Sequence, residues 1–203
     1  MHKEKLSSRR FFLRSSAGVL AAPFVELASN GSPSTDNSAN AGPAQAPLKL
    51  VNPSIVVTKG KRSLQLYSAG RVVRTYRVAL GLSPVEDKIK AGDRRTPEGE
   101  FYICMKNARS KFYLSLELSY PNLRHAERGL RDGLITRAQY NQIVRALEKR
   151  RVPPQNTRLG GELFIHGNGS QSDWTWGCVA LDDKDIKELF DAVPIGTPVT
   201  IEH

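Results

Sequence analysis

Only two cysteines occur in the 203 residues, Cys104 and Cys178. That is too few for a disulfide framework. Either the pair forms one bridge in an oxidising compartment, or one is a reactive thiol and the other a buried apolar residue. Long hydrophobic runs are missing as well. No stretch reaches the roughly 20 apolar residues a membrane-spanning helix needs. No second histidine or cysteine stands at ligand spacing from His166 and Cys178, so mixed ligation with Asp173 is a weak basis for a metal site. No block of like charge, helix-turn-helix pattern or RNA-binding signature appears, which disfavours nucleic acid as a partner. There is no internal repeat.

What is present suits one ordinary domain with tails. The chain is 39% hydrophobic and 25% charged, enough apolar material for a core. The formal net charge is +10, with a pI near 9.8. Such a balance attracts polyanions in general, whether nucleic acid, anionic lipid or acidic wall polymer, without choosing among them.

Residues 1–28 read as an address rather than part of the fold. A basic start to Arg14 precedes the weakly apolar run Ser15 to Val25. Within the basic part, Ser8-Arg9-Arg10-Phe11-Phe12-Leu13-Arg14 resembles the twin-arginine export motif. This gives an expected location in the periplasm or cell envelope, with any membrane contact limited to the signal or an uncleaved tether. Residues 29–47 are dominated by Ser, Asn, Ala, Gly and Pro and read as a flexible linker. The domain is expected over 48–203.

From Pro53 the pattern is β. Ile55-Val56-Val57, Leu64-Leu66 and Arg71 to Leu80 read as strands, the last two joined by the turn Ser68-Ala69-Gly70. Phe101 to Met105 is a further strand, with Cys104 read as a core thiol. Lys111 to Tyr120 alternates Leu114, Leu116, Leu118 and Tyr120 with polar residues and reads as half-buried. Residues 123–151 change character. A charged segment precedes a helix capped by Thr136, with Tyr140, Ile143, Val144 and Leu147 on one face. His125, among charged residues, reads as surface, with a substrate contact as the alternative. Residues 123–151 are expected to form a helical insertion, placed as a lid because it precedes the loop of His166. A short strand leads to His166, a helix is capped by Asp182 or Asp183, and a last strand runs from Thr197 to Ile201.

The chemistry is expected between Leu163 and Leu181. Two short apolar runs end in an imidazole, His166, and begin with a thiol, Cys178, joined by a glycine-containing loop. A cysteine attacks as its thiolate, and an adjacent imidazole takes the proton. The amides of Trp176, Gly177 and Cys178 are placed to meet a developing oxyanion. On spacing alone, a buried structural cysteine and a satisfied structural histidine explain the same residues equally well. Arg94 and Arg95 lie in a turn-rich basic loop, read either as an anion contact or as a solvated turn.

The same residues resemble the L,D-transpeptidase catalytic domain of the YkuD type. Ile165-His166-Gly167 and Gly177-Cys178 carry the likeness. So do Gly92-Asp93-Arg94-Arg95-Thr96-Pro97-Glu98-Gly99, Ser119-Tyr120-Pro121-Asn122, Gly160-Gly161 and Gly196-Thr197-Pro198-Val199. The resemblance implies a mainly β domain, an L,D-transpeptidase-like β-sandwich with inserted and peripheral α-helices. It implies Cys178 as nucleophile, His166 as proton carrier, Gly167 orienting it through its carbonyl, and Gly177 and Trp176 supplying oxyanion amides. It implies acylation by carbapenems and no cofactor. Peptidoglycan stem peptides are the implied substrate, and a wall-anchored lipoprotein a candidate partner. The commoner pattern has Ser-His before Gly-Cys and an arginine two residues after it. Here Thr175-Trp176 and Ala180 stand there, as in a branch in which some members hydrolyse wall linkages. Arg94, Arg95 and Arg124 are the candidates to replace that arginine.

Overall fold

The computed structural model describes residues 48–203; the export motif and linker readings concern residues outside this range. Strands β1 (Ser54–Thr58) and β2 (Ser63–Ser68) bury alternate residues, Ile55 and Val57 on one, Leu64 and Leu66 on the other. Strand β3 (Arg71–Arg77) follows a two-residue turn in which Ala69 and Gly70 both take positive φ, 47° and 75°. That backbone matches the twist of a tight hairpin.

Strand β4 (Gly99–Ser110) is long enough to serve two neighbours. Its first residues pair with β8 (Pro198–Glu202) and the remainder with β5 (Tyr113–Leu118), with register shifts along the second pairing. Two short strands complete the sheet, β6 (Phe164–His166) and β7 (Val179–Ala180). The eight strands run in the order β3-β2-β1-β8-β4-β5-β6-β7, with β1–β8 and β6–β7 parallel. The two ends then meet. Past β3, Ala79 exchanges both backbone hydrogen bonds with Ala180, each 2.8 Å, and Gly81 bridges to Thr175. One apolar core, including Ile55, Leu66, Ile103, Leu116, Ile165 and Val179, fills the space the strands enclose, with Ile186 and Leu189 of helix α3 (Asp183–Ala192) packed into it.

Helices α1 (Leu123–Arg131) and α2 (Arg137–Glu148) build a second small core of Ala126, Ile135, Ile143 and Leu159. Thr136 caps α2 in a reciprocal capping box with Gln139, as its spacing predicts. Of the expected inner face, Ile143 is buried, while Tyr140 and Leu147 pack at its edge. The charged segment of the expected helical insertion forms helix α1 although Arg124, His125, Glu127, Arg128 and Gly129 carry no apolar period. It forms under the Asn122 cap, whose side chain accepts the His125 amide. A Cβ at Gly129 would stand 2.7 Å from Leu159 Cδ2, so glycine lets α1 approach the loop at Leu159 closely.

Three expectations need correction. His125 is not at the surface: its side chain is fully buried, packed against Phe101 and Tyr120, with ring nitrogens 2.5 Å from Asn122 Oδ1 and 3.2 Å from Asp87 Oδ1. Cys104 is not in the core. Phe101 and Ile103 face inward, leaving Cys104 half-buried with Sγ 3.9 Å from Tyr102 O. Strand β5 is not half-buried: Leu114 to Leu118 are buried on both faces, Ser115 and Glu117 included.

Candidate active site

The register of β6 and β7 places the two predicted groups on one face. Ile165 pairs with Val179 and His166 with Ala180. Paired residues of parallel strands share a face, and alternate residues share it too. Ile165 and Val179 enter the core, so His166, Ala180 and Cys178 all belong to the opposite face. No bridge joins the cysteines; both are free.

His166 is held on every side. Its Nδ1 lies 2.7 Å from Gly167 O. A carbonyl only accepts, so Nδ1 carries the proton and Nε2 is left as the acceptor. The ring stacks on Phe112 at 4.6 Å between centroids and meets the edge of Trp174 at 5.5 Å. Burial holds the imidazole below its ordinary pKa, and the Gly167 carbonyl works against that shift. Gly167 itself has no room for a side chain: a Cβ would meet Asp183 Oδ1 at 2.5 Å and Phe112 O at 2.9 Å.

The connecting loop is pinned by the acids at the start of α3. Asp182 Oδ1 accepts from Ser170 N, Ser170 Oγ and Gln171 Nε2, and Asp183 Oδ1 accepts from Asn168 N. Asp182 is thus the predicted N-cap by position, but its side chain serves the loop instead of the helix amides. Trp174 Nε1 donates to Gly169 O, and Asp173 takes a two-pronged ion pair from Arg62 together with the Leu80 amide.

Cys178 opens into a cleft of about 310 Å³ lined by Lys88, Gln155, Gly160, Gly161, Glu162 and Trp176, among others. Its Sγ lies 3.6 Å from Glu162 O. Burial pushes the thiol up to about 11, against the pull of the Phe164 amide and the Lys88 charge. Thiol and imidazole are therefore both neutral near pH 7, with the imidazole Nε2 unprotonated. Gly177 sits at φ +127°, with Arg95 O 2.6 Å from where a Cβ would be. Its amide donates to Thr175 Oγ1 at 3.1 Å. That bond engages the Gly177 amide, one of the expected oxyanion donors.

The three candidate arginines fall in different places. Arg94 stands over the Trp176 ring, 4.8 Å from its centroid, at the cleft's edge. Arg95 pairs with Glu86, and Arg124 with Asp87, so both are tied into the structure. No residue of 123–151 lines the cleft beside Cys178. The insertion acts from behind, through Leu159 and through Asp87, which binds Arg124, Arg128 and His125.

Sequence reasoning missed Lys88, Glu162, Phe112 and Trp174. Lys88 was hidden as one of several cations in a basic loop; the signal was Asp93 five residues on, its partner at 2.7 Å. Among the described residues no group of His, Cys, Asp or Glu is placed to hold a metal ion.

Comparison with known proteins adds the lineage. No curated protein matches the sequence. Among solved structures, the helical cell shape determining protein of Campylobacter jejuni aligns with a TM-score of 0.50 at 21% identity, over 74% of this chain and 47% of its own. An L,D-transpeptidase from Xylanimonas cellulosilytica aligns at 0.43 and 21%, over 76% and 62%. One from Mycobacterium smegmatis aligns at 0.45 and 11%, over 75% and 59%. The chain thus spans about half to three-fifths of the length of these structures, and the likeness is one of fold. The YkuD family model, the L,D-transpeptidase catalytic domain, matches residues 52–201, and the chain belongs to that family.

Proposed function

We propose that this domain is a cysteine acyltransferase of peptidoglycan, an L,D-transpeptidase that forms cross-links or attaches proteins to stem peptides. The observation that carries this reading is the placement of Cys178 and His166 on one face of adjacent strands, with His166 Nε2 free to accept. In the proposed reaction Cys178 Sγ attacks the carbonyl carbon of a diaminopimelate–D-alanine bond while Nε2 takes its proton. The oxyanion receives the Trp176 and Cys178 amides. The C–N bond breaks, D-alanine leaves with the proton from His166, and a thioester remains. An acceptor amine then attacks that carbonyl, His166 takes its proton and passes it to the departing sulfur, and the thiol is restored. Gly167 keeps the imidazole in the required tautomer throughout.

A second reading lets water take the acyl group, making the enzyme a hydrolase of a stem-peptide or wall-lipoprotein linkage. Trp176, 65% exposed beside Cys178, and Ala180 favour it, since the commoner family pattern has His and Arg there. The export motif at Ser8–Arg14 supports delivery to the periplasm by the twin-arginine route, and the basic charge suits an acidic wall. Tetrapeptide-bearing wall fragments separate the readings. Cross-linked dimers support transfer, whereas released D-alanine or peptide without dimers supports hydrolysis. Full activity in Cys178→Ala would exclude both.

A further inference from the structure

The cleft beside Cys178 contains a cation that the proposed chemistry does not use. Lys88 lines it with a side chain only 3% exposed. Two of its three ammonium donors are engaged, by Asp93 Oδ1 at 2.7 Å and Lys90 O at 3.2 Å. Asp93 is itself saturated by its own loop. Its Oδ2 accepts the Ile89 and Lys90 amides at 2.7 and 2.9 Å, and Oδ1 also takes the Arg95 amide at 3.1 Å. Those amides share in neutralising the carboxylate, so the ammonium keeps net positive charge and one free donor.

The position of Lys88 is fixed from both ends. Arg128 of α1 donates to the Lys88 carbonyl, while the ammonium is held by Asp93. The neighbouring Ala91 amide donates to Arg158 O at 2.9 Å, and Gly160 packs so close to Ala91 that a Cβ would stand 3.3 Å from its Cα. The cleft wall is therefore built around this lysine. The other cations nearby are spent elsewhere: Arg95 on Glu86, Arg124 and Arg128 on Asp87, and Arg94 on the outer edge over Trp176. Glu162 is the carboxylate on the same cleft.

We propose that Lys88 is the specificity-determining cation of this cleft, its free ammonium donor receiving a carboxylate of the substrate that Cys178 attacks. This rests on the reading of Cys178 as the acyl-accepting thiol. A stem peptide offers two carboxylates beside the scissile bond, that of the departing D-alanine and that of the diaminopimelate side chain.

Charge-matched alkylating agents test this without requiring turnover. Full-length protein is treated with iodoacetate or iodoacetamide, and modification at Cys178 and at Cys104 is read separately by peptide mass spectrometry. The anionic-to-neutral rate ratio at Cys178 should exceed that of the urea-unfolded chain by about fivefold, as a nearby unscreened cation requires. Cys104 should show no such excess. Lys88→Gln should abolish the bias and Lys88→Arg restore part of it. Asp93→Asn, which releases the ammonium, should not lower it. A wild-type ratio equal to that of the unfolded chain overturns the proposal, and so does a bias that survives Lys88→Gln or disappears in Arg94→Gln. If Lys88→Gln does not fold, the wild-type and Arg94→Gln ratios decide. Stem tetrapeptides amidated at one carboxylate or the other then identify the ligand group: the relevant amide raises KM in wild type and adds nothing in Lys88→Gln. If neither amide raises KM, Lys88 binds no substrate carboxylate. A wild type inactive on every stem peptide counts against the proposed function, while the alkylation ratio still decides the role of Lys88.

Discussion

The Nδ1 of His166 lies 2.7 Å from the carbonyl oxygen of Gly167, the next residue in the chain. The general base of the proposed mechanism needs one nitrogen free and one occupied, and this bond leaves Nε2 free. Phe112 and Trp174 then fix the ring plane. Replacing Phe112 with Ala should lower kcat about tenfold or more, because a loosened base loses orientation. Thermal unfolding should shift little, since Phe112 is itself 38% exposed. Steady-state kinetics beside a melting curve checks both. Unchanged kcat would show that Trp174 and Gly167 suffice.

The resting thiol should be unreactive. Burial pushes Cys178 up to about 11, above the ordinary thiol value. Alkylation by neutral iodoacetamide should therefore be slow at pH 7 and continue to accelerate past pH 9, where a free thiol levels off. A plateau near pH 7 would mean a preformed thiolate–imidazolium pair instead.

Asp87 should make stability depend on acid. Burial alone would raise its pKa, but hydrogen bonds from His125, the Glu98 amide and Arg128 hold it well below the carboxylate range. A depressed folded pKa contributes stability that is complete above the unfolded value and lost as pH falls through the folded one. Wild-type Tm should accordingly drop below about pH 4. Asp87→Asn should lose about 3 kcal/mol at pH 7, leaving Arg128 and His125 poorly matched, and its Tm should fall less on acidification. Parallel acid dependence in the two proteins would contradict this.

Gly177 should tolerate no side chain. Ala there would need φ +127° and would meet the Arg95 carbonyl. Gly177→Ala should cost about 1–3 kcal/mol and displace Cys178 enough to reduce activity sharply. A variant with native Tm and kcat would show that the loop relaxes freely.

Much of the fold was legible because its signals are local. Alternating Leu114, Leu116 and Leu118 mark a strand and Thr136 marks a helix start, whereas the spacing of His166-Gly167 and Gly177-Cys178 points to chemistry only through the family resemblance. Burial of both faces of β5 was not legible, since Ser115 and Glu117 alternate with leucines as surface residues would. The bounds of helix α1 escaped for a related reason. Its stability comes from the Asn122 cap, from Asp87, and from packing on Leu159, all contacts that no local period encodes. Lys88 and Arg124 show the same limit. Two cations of one basic surface part company only when the fold buries one beside Cys178 and ties the other to Asp87.

The central claim is that Cys178 carries the acyl group. Intact-protein mass spectrometry of the enzyme quenched in acid during turnover of a stem tetrapeptide tests it most directly. The expected result is a protein mass increased by the tetrapeptide less D-alanine, mapped to Cys178, lost on treatment with hydroxylamine and absent in Cys178→Ala. Turnover in Cys178→Ala, or an adduct mapped to any other residue, would contradict it.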